Sequence, residues 1–212
     1  MTHYVLLGDS IFDNAAYTEG APDTVTRLRE QLAPGDRATL LAQDGAVAAD
    51  LPEQIRKIPP DADHCFVSIG GNDALQALPV LGERAEDVHD ALERLARARK
   101  PFLRNYVGGL DALLATRLPV TVCTIYEGLL AFPGNPEVDE LITTFLAGQA
   151  SSRALRTALS LYNDLVTRAA LARRVPLVEL RTVCNEPADF ANPIEPSSQG
   201  SRKIASALLA RA

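Results

Sequence analysis

Cysteine is scarce in this chain and scattered. Cys65, Cys123 and Cys184 are odd in number and far apart among 212 residues, which suits neither a disulfide framework nor the clustered spacing of a metal site. Cys65 and Cys123 stand inside apolar runs, where a small buried thiol is the ordinary occupant. Long hydrophobic runs are missing as well: none approaches the roughly 18 residues of a membrane span, so no span is expected. Met1-Thr2-His3 leads into the apolar YVLLG without a charged n-region or an A-x-A-like cleavage site, and the expected location is the cytoplasm. Nor is there an excess of positive charge. Lys and Arg number 21 against 27 Asp and Glu, a net charge of −6. The densest basic run, Arg97-Ala98-Arg99-Lys100, closes a helical pattern and reads as a solvated face. A phosphate-tracking surface is argued against, and nucleic acid is not an expected partner.

What remains is ordinary globular material, 47% apolar and 23% charged, in a length that fits one domain with a sizeable core. Five short, nearly continuous apolar runs lie at about 4–8, 37–42, 64–69, 119–125 and 175–180, the mark of strands buried on both faces. Segments of helical spacing separate them. Val25, Leu28 and Leu32 share one face, as do Val88, Leu92 and Leu95, then Leu159, Tyr162, Val166 and Ala170, and finally Ile204 and Leu208. Alternation of this kind predicts βαβ units. With right-handed crossovers they form a three-layer α/β/α, doubly wound fold on a five-stranded parallel sheet, as one domain over 1–212. No repeat or linker interrupts it. The one long irregular stretch is 126–150, containing Phe132-Pro133-Gly134-Asn135-Pro136, a candidate lid or substrate-lining insertion.

Ligands bind at the carboxyl ends of strands in an open parallel sheet, so the residues after each strand matter most. These are Gly8-Asp9-Ser10-Ile11-Phe12-Asp13-Asn14, then Gln43-Asp44-Gly45, Gly70-Gly71-Asn72-Asp73, Tyr126-Glu127, and, after a longer loop, Asn192-Pro193-Ile194-Glu195. A serine, glycine turns, an asparagine and carboxylates therefore collect on one rim. Singly, Ser10 also suits a helix cap, and Gly45 and Gly71 suit plain turns. Together they compose an acyl-transfer site: nucleophile, N–H donors, amide donor and base.

GDSIFDN resembles the first block of the GDSL/SGNH hydrolases, and GGND, about sixty residues on, is similar to their Gly-x-Asn-Asp block. The resemblance implies a flavodoxin-like sheet, no cofactor and no metal, and hydrolysis of a carboxylic ester through an acyl-Ser10 intermediate. It implies an oxyanion held by the Ser10 and Gly45 N–H groups and the Asn72 amide, with Asp9, Asp13, Gly71, Asp73, Tyr126 and Asn192 in support. One block departs from the family. Where its Asp-x-x-His supplies the general base, this chain reads Asn192-Pro193-Ile194-Glu195. His3 and His64 stand at the opposite ends of their strands and His89 inside a helical pattern, so none is expected to reach Ser10. Two readings follow. In one, Glu195 is the base, its pKa raised towards 6–7 by burial, with Asn192 orienting it and Asp13 or Asp189 as a second carboxylate. In the other, the protein is an inactive relative that binds a small carbonyl or carboxylate ligand. The expected partner is a small-molecule ester. Phe12, Tyr17, Tyr126, Leu129, Phe132 and Phe145 near the rim favour an apolar or short acyl group. The sequence does not separate an interface stripe from a core stripe, so it sets no oligomeric state.

Overall fold

A computed structural model describes residues 1–132, 134–146 and 150–212, with Phe145 and Leu146 by backbone only. Its strands are β1 (His3–Gly8), β2 (Arg37–Leu40), β3 (His64–Ser68), β4 (Val120–Cys123) and β5 (Leu177–Val178). They form one sheet in the order β2-β1-β3-β4-β5, parallel throughout. The helices are α1 (Thr24–Glu30), α2 (Leu51–Ile55), α3 (Gly71–Gln76), α4 (Val88–Ala98), α5 (Lys100–Leu114), α6 (Pro136–Leu146), α7 (Ser152–Arg173), α8 (Leu180–Val183) and α9 (Ser198–Leu209). The chain is thus the expected three-layer α/β fold. Period-two alternation in the strands divides the core in two. Leu6 and Phe66 face Val25 and Leu28 of α1 and Ile204 and Leu208 of α9. Val5, Leu7, Cys65 and Val67 face α2, α5 and α7 through Leu51, Tyr106, Val166 and Ala170. Side-chain caps start several helices: Asp23 accepts from the Thr26 N–H, Ser151 from Ala154, and Ser197 from Gln199 and Gly200.

Three local expectations change. The last strand is shorter than 175–180. Pro176 has no N–H to give a ladder, and the Glu179 carboxylate caps α8 by accepting from the Arg181 N–H, so helix begins at Leu180. The stretch 126–150 is not irregular. It holds a short 3-10 turn, Gly128–Ala131, and then α6. Asn135 accepts from the Glu137 N–H, Pro136 opens the helix, and Val138 and Ile142, four apart, are buried. Pro133 and 147–149 lie outside the described residues, as does the Phe145 side chain. The stripe Val88, Leu92, Leu95 is not a core stripe: Val88 is 75% and Leu92 59% exposed, because α4 covers a cavity, not the sheet, and only Leu95 of the three faces that cavity.

Candidate active site

The turn after β1 sets the site. Gly8 has φ +136°, and a β-carbon there would collide with the backbone of Ser68 on neighbouring β3, so only glycine fits. Its N–H donates to Gln54 Oε1 at 2.7 Å, and its carbonyl accepts from Gln54 Nε2 at 2.8 Å. From this clamped residue the chain makes one helical turn in which the Phe12 and Asp13 N–H groups donate to the Asp9 carbonyl. Ser10 lies at its start, buried at the carboxyl edge of the sheet.

Glu195 comes from the loop before α9 and meets Ser10 across the rim. The Ser10 hydroxyl donates to Glu195 Oε1 at 2.9 Å, and Oε2 has no hydrogen-bond partner. The loop is set by Asn192, whose Oδ1 accepts from the Ile194 and Glu195 N–H groups at 3.0 Å each. Asn192 therefore holds the Glu195 backbone and not its carboxylate. Tyr126 adds a second fixture by donating from its hydroxyl to the Ile194 carbonyl at 2.8 Å. Only 5% of Glu195 is exposed. Burial, with Asp9 and Asp44 nearby, pushes its carboxyl up to about 8, against the opposing bond from Ser10. Burial is the main cause, and the Asp9 and Asp44 carboxylates add to it.

Asp9 is the second perturbed carboxyl. It is fully buried, accepts from the Ile11 N–H at 3.2 Å through Oδ1, and leaves Oδ2 without a well-formed bond. Desolvation raises it to about 7, although the Ile11, Gly71 and Gly70 amides favour its charge. Neither Asp13 nor Asp189 fills that place. Asp13 accepts from the Asp44 N–H at 2.9 Å, while Asp189 is held by Lys203 Nζ at 2.8 Å and Gln199 Nε2 at 3.0 Å, which keeps its carboxyl below the usual range.

The amide side of the site is assembled from two loops. Asn72 donates from Nδ2 to the Ala46 carbonyl at 2.9 Å, which leaves one amide hydrogen free and ties Asn72 to the turn holding Gly45 at φ +79°. Asp73 fixes the next segment by accepting from the Ala48 N–H at 2.8 Å. Asp9, Ser10, Gly71, Asn72, Tyr126 and Glu195 line one cavity with an empty volume of about 980 Å³, open mouth included. Gly45, exposed in its turn, is not among the residues that line it. The histidines are elsewhere: His3 Nε2 is 2.7 Å from Thr39 Oγ1, His64 Nε2 is 3.0 Å from Thr121 Oγ1, and His89 is exposed. Burial lowers the pKa of both His3 and His64. Among the described residues no three His, Cys, Asp or Glu side chains converge as metal ligands. Gln54 was not foreseen. A glutamine in a short polar helix carries no mark of its role, which depends on a contact 46 residues away.

A model of the GDSL-like lipase/acylhydrolase family matches residues 6–203. Solved structures share the architecture at low identity. An extracellular lipase from Streptomyces rimosus is 18% identical, with both chains covered in full and a TM-score of 0.68. A phospholipase A1 from Streptomyces albidoflavus is 16% identical over 100% of this chain and 99% of that one, with a TM-score of 0.70. An acetylxylan esterase from Geobacillus stearothermophilus is 18% identical over 99% and 93%, with a TM-score of 0.63. No curated protein matches the chain by sequence.

Proposed function

Since this chain belongs to the GDSL-like lipase/acylhydrolase family, we propose that it hydrolyses a carboxylic ester through an acyl-Ser10 intermediate with Glu195 as general base. The supporting observation is the 2.9 Å bond from the Ser10 hydroxyl to Glu195. A nucleophile and a base in hydrogen-bond contact are the requirement for activating a weak hydroxyl. Ionised Glu195 takes the Ser10 proton as Oγ bonds to the acyl carbon. The Ser10 and Gly45 N–H groups and the free Asn72 amide hydrogen receive the negative charge on the carbonyl oxygen, each such donor contributing about 3–4 kcal/mol in comparable sites. Collapse breaks the bond to the alcohol, and Glu195 returns the proton to the departing oxygen. Water, deprotonated by the same carboxylate, then attacks the acyl carbon, the bond to Ser10 Oγ breaks, and Glu195 returns its proton to that oxygen as the acid leaves. A carboxyl near 8 is a base of about the strength usually supplied by histidine.

The test is hydrolysis of p-nitrophenyl esters from pH 4 to 9 by the parent protein, Ser10→Ala and Glu195→Gln. Activity is expected to fall at least a hundredfold in both variants, and the parental rate to rise through a pKa close to 8. Full turnover by Glu195→Gln removes Glu195 as the base. No rate above that of Ser10→Ala at any pH points instead to an inactive relative whose cavity binds a carbonyl or carboxylate ligand.

A further inference from the structure

The cavity beside Ser10 is polar at one end only. Asp9, Ser10, Asn72 and Glu195 belong to the strand-end rim; Leu75, Leu78, Leu81, Leu95, Leu155 and Leu159 carry the lining onward between α3, α4 and α7. Among the described residues the one other charged side chain in the lining is Glu127, already paired with Arg156 at 2.6 Å. Among the described residues, Tyr162 brings the one hydroxyl to this apolar part, which otherwise offers no free donor or acceptor to a sugar hydroxyl, a phosphate or an ammonium group. The exposed side of the rim is different. There the Tyr17 hydroxyl donates to Asp44 and the Asp44 N–H to Asp13, so an alcohol finds polar partners and an alkyl chain finds none.

One wall of the cavity is thin. Ala77, Val80, Ala98 and Tyr162 line it, and the same four residues also line a separate, polar surface hollow that holds Asp73, Glu83, Arg94 and Arg97. A chain that reaches this wall therefore meets charged groups and solvent behind it. Resting on the proposed function, we infer that this cavity is a slot for an extended, unbranched acyl chain, and that Ala77, Val80, Ala98 and Tyr162 set the longest chain accepted. Each methylene that enters leaves water for an apolar lining, a gain of roughly three- to fourfold in kcat/KM per group. The gain ends at the wall, since the next carbons must face the polar hollow or bend back. The two alanines are the small members of the wall, so enlarging one projects new bulk into the slot.

The experiment is a series of p-nitrophenyl esters from acetate to palmitate, with the alcohol constant, on the full chain and on Ala98→Phe and Val80→Ala, each corrected for Ser10→Ala. In the parent, kcat/KM should climb with chain length, reach a maximum and fall. Ala98→Phe should move the maximum to shorter chains and cut the ratio of the parent's best ester to acetate at least tenfold, while Val80→Ala should move it to longer chains. Ser10-dependent activity that does not rise beyond acetate overturns the slot and leaves the proposed function standing, as does an unmoved maximum in both variants with parental circular dichroism. If no ester shows Ser10-dependent turnover, the proposed function fails and the slot is judged by calorimetric titration with decanoate. Binding that weakens in Ala98→Phe retains it, and no binding to the parent overturns it.

Discussion

Glu195 and Asp9 are carboxyls that folding removes from water, and each holds its proton at a pH where the unfolded chain has released it. Glu195 is raised to about 8 and Asp9 to about 7, so from about pH 4.5 to 8 the folded state binds more protons than the unfolded one. Stability must then fall as pH rises across that window, and the loss is complete above the folded pKa. Because the two carboxyls repel each other, the protons leave in steps that belong to the pair. Glu195→Gln removes one share of the penalty. Its melting temperature should match the parent's near pH 5, where both side chains are neutral. By pH 9 it should exceed the parent's by roughly 5–10 °C, reflecting a difference on the order of 2–4 kcal/mol. Equal melting curves at both pH values would mean that Glu195 ionises as freely in the folded chain as in water. The same substitution removes the proposed base, so stability and activity should part in opposite directions above pH 8. The residues of the Ser10–Glu195 pair were legible in the sequence because both stand directly in motif positions. Asp9 as the second raised carboxyl was not assigned in advance, and Asp189 was a wrong candidate, because whether a carboxyl is paired depends on a distant Lys203 and not on its neighbours in the chain.

Two buried amides bracket the backbone where strands end. Gln54 of α2 bonds both the N–H and the carbonyl of Gly8, and Asn163 of α7 does the same for Ile125, accepting at 2.7 Å and donating at 2.8 Å. Each supplies partners to backbone at or just beyond a strand's end, where the ladder runs out and buried N–H and carbonyl groups still need them. Gln54→Leu removes the clamp from the turn that carries Ser10. The Gly8 carbonyl still accepts from the Gln43 N–H at 3.0 Å, but with its buried N–H orphaned at about 1–3 kcal/mol the variant should melt a few degrees lower. Its kcat on the parent's best ester should also fall by more than tenfold, since a misplaced nucleophile is costly. A variant that loses stability while keeping kcat would confine Gln54 to folding. Helices and strands themselves were readable because their apolar periods are local. The clamps were not, since an amide's partner is chosen by tertiary contact. α4 shows the complementary failure: its period is helical, yet Val88 and Leu92 face solvent, as periodicity reports a stripe and not what covers it. α6 was passed over because Pro133, Gly134 and Pro136 read as loop punctuation, although Asn135-Pro136 is also a sound helix start.

Across the whole molecule, charge is unevenly distributed. The net charge is −6, and many acidic side chains away from the site meet a cation, as in Arg27–Glu30, Arg94–Glu83, Arg173–Asp111 and Lys203–Asp189. Around Ser10 they do not. Among the described residues no Lys, Arg or His pairs with Asp9, Asp13, Asp44 or Glu195, and Asp44 and Asp9 both act on Glu195. Asp13 and Asp44 lie on the exposed side of the rim, where the alcohol of an ester would sit. A unit charge about 8 Å away through water contributes roughly 0.5 kcal/mol, a little over twofold in rate, and less as salt shortens the screening length. Esters whose alcohol carries a negative charge should accordingly react several-fold more slowly than neutral esters with the same acyl group and a leaving group of equal acidity. The gap should shrink between 10 mM and 500 mM salt, and Asp44→Asn should narrow it at low salt. Since Asp44 also raises the Glu195 carboxyl, that variant should move the pH profile to lower pH at the same time. A gap that ignores both salt and Asp44→Asn would assign the discrimination to shape. If the gap closes with salt while the pH profile stays put, Asp44 acts on the incoming ester without acting on the base.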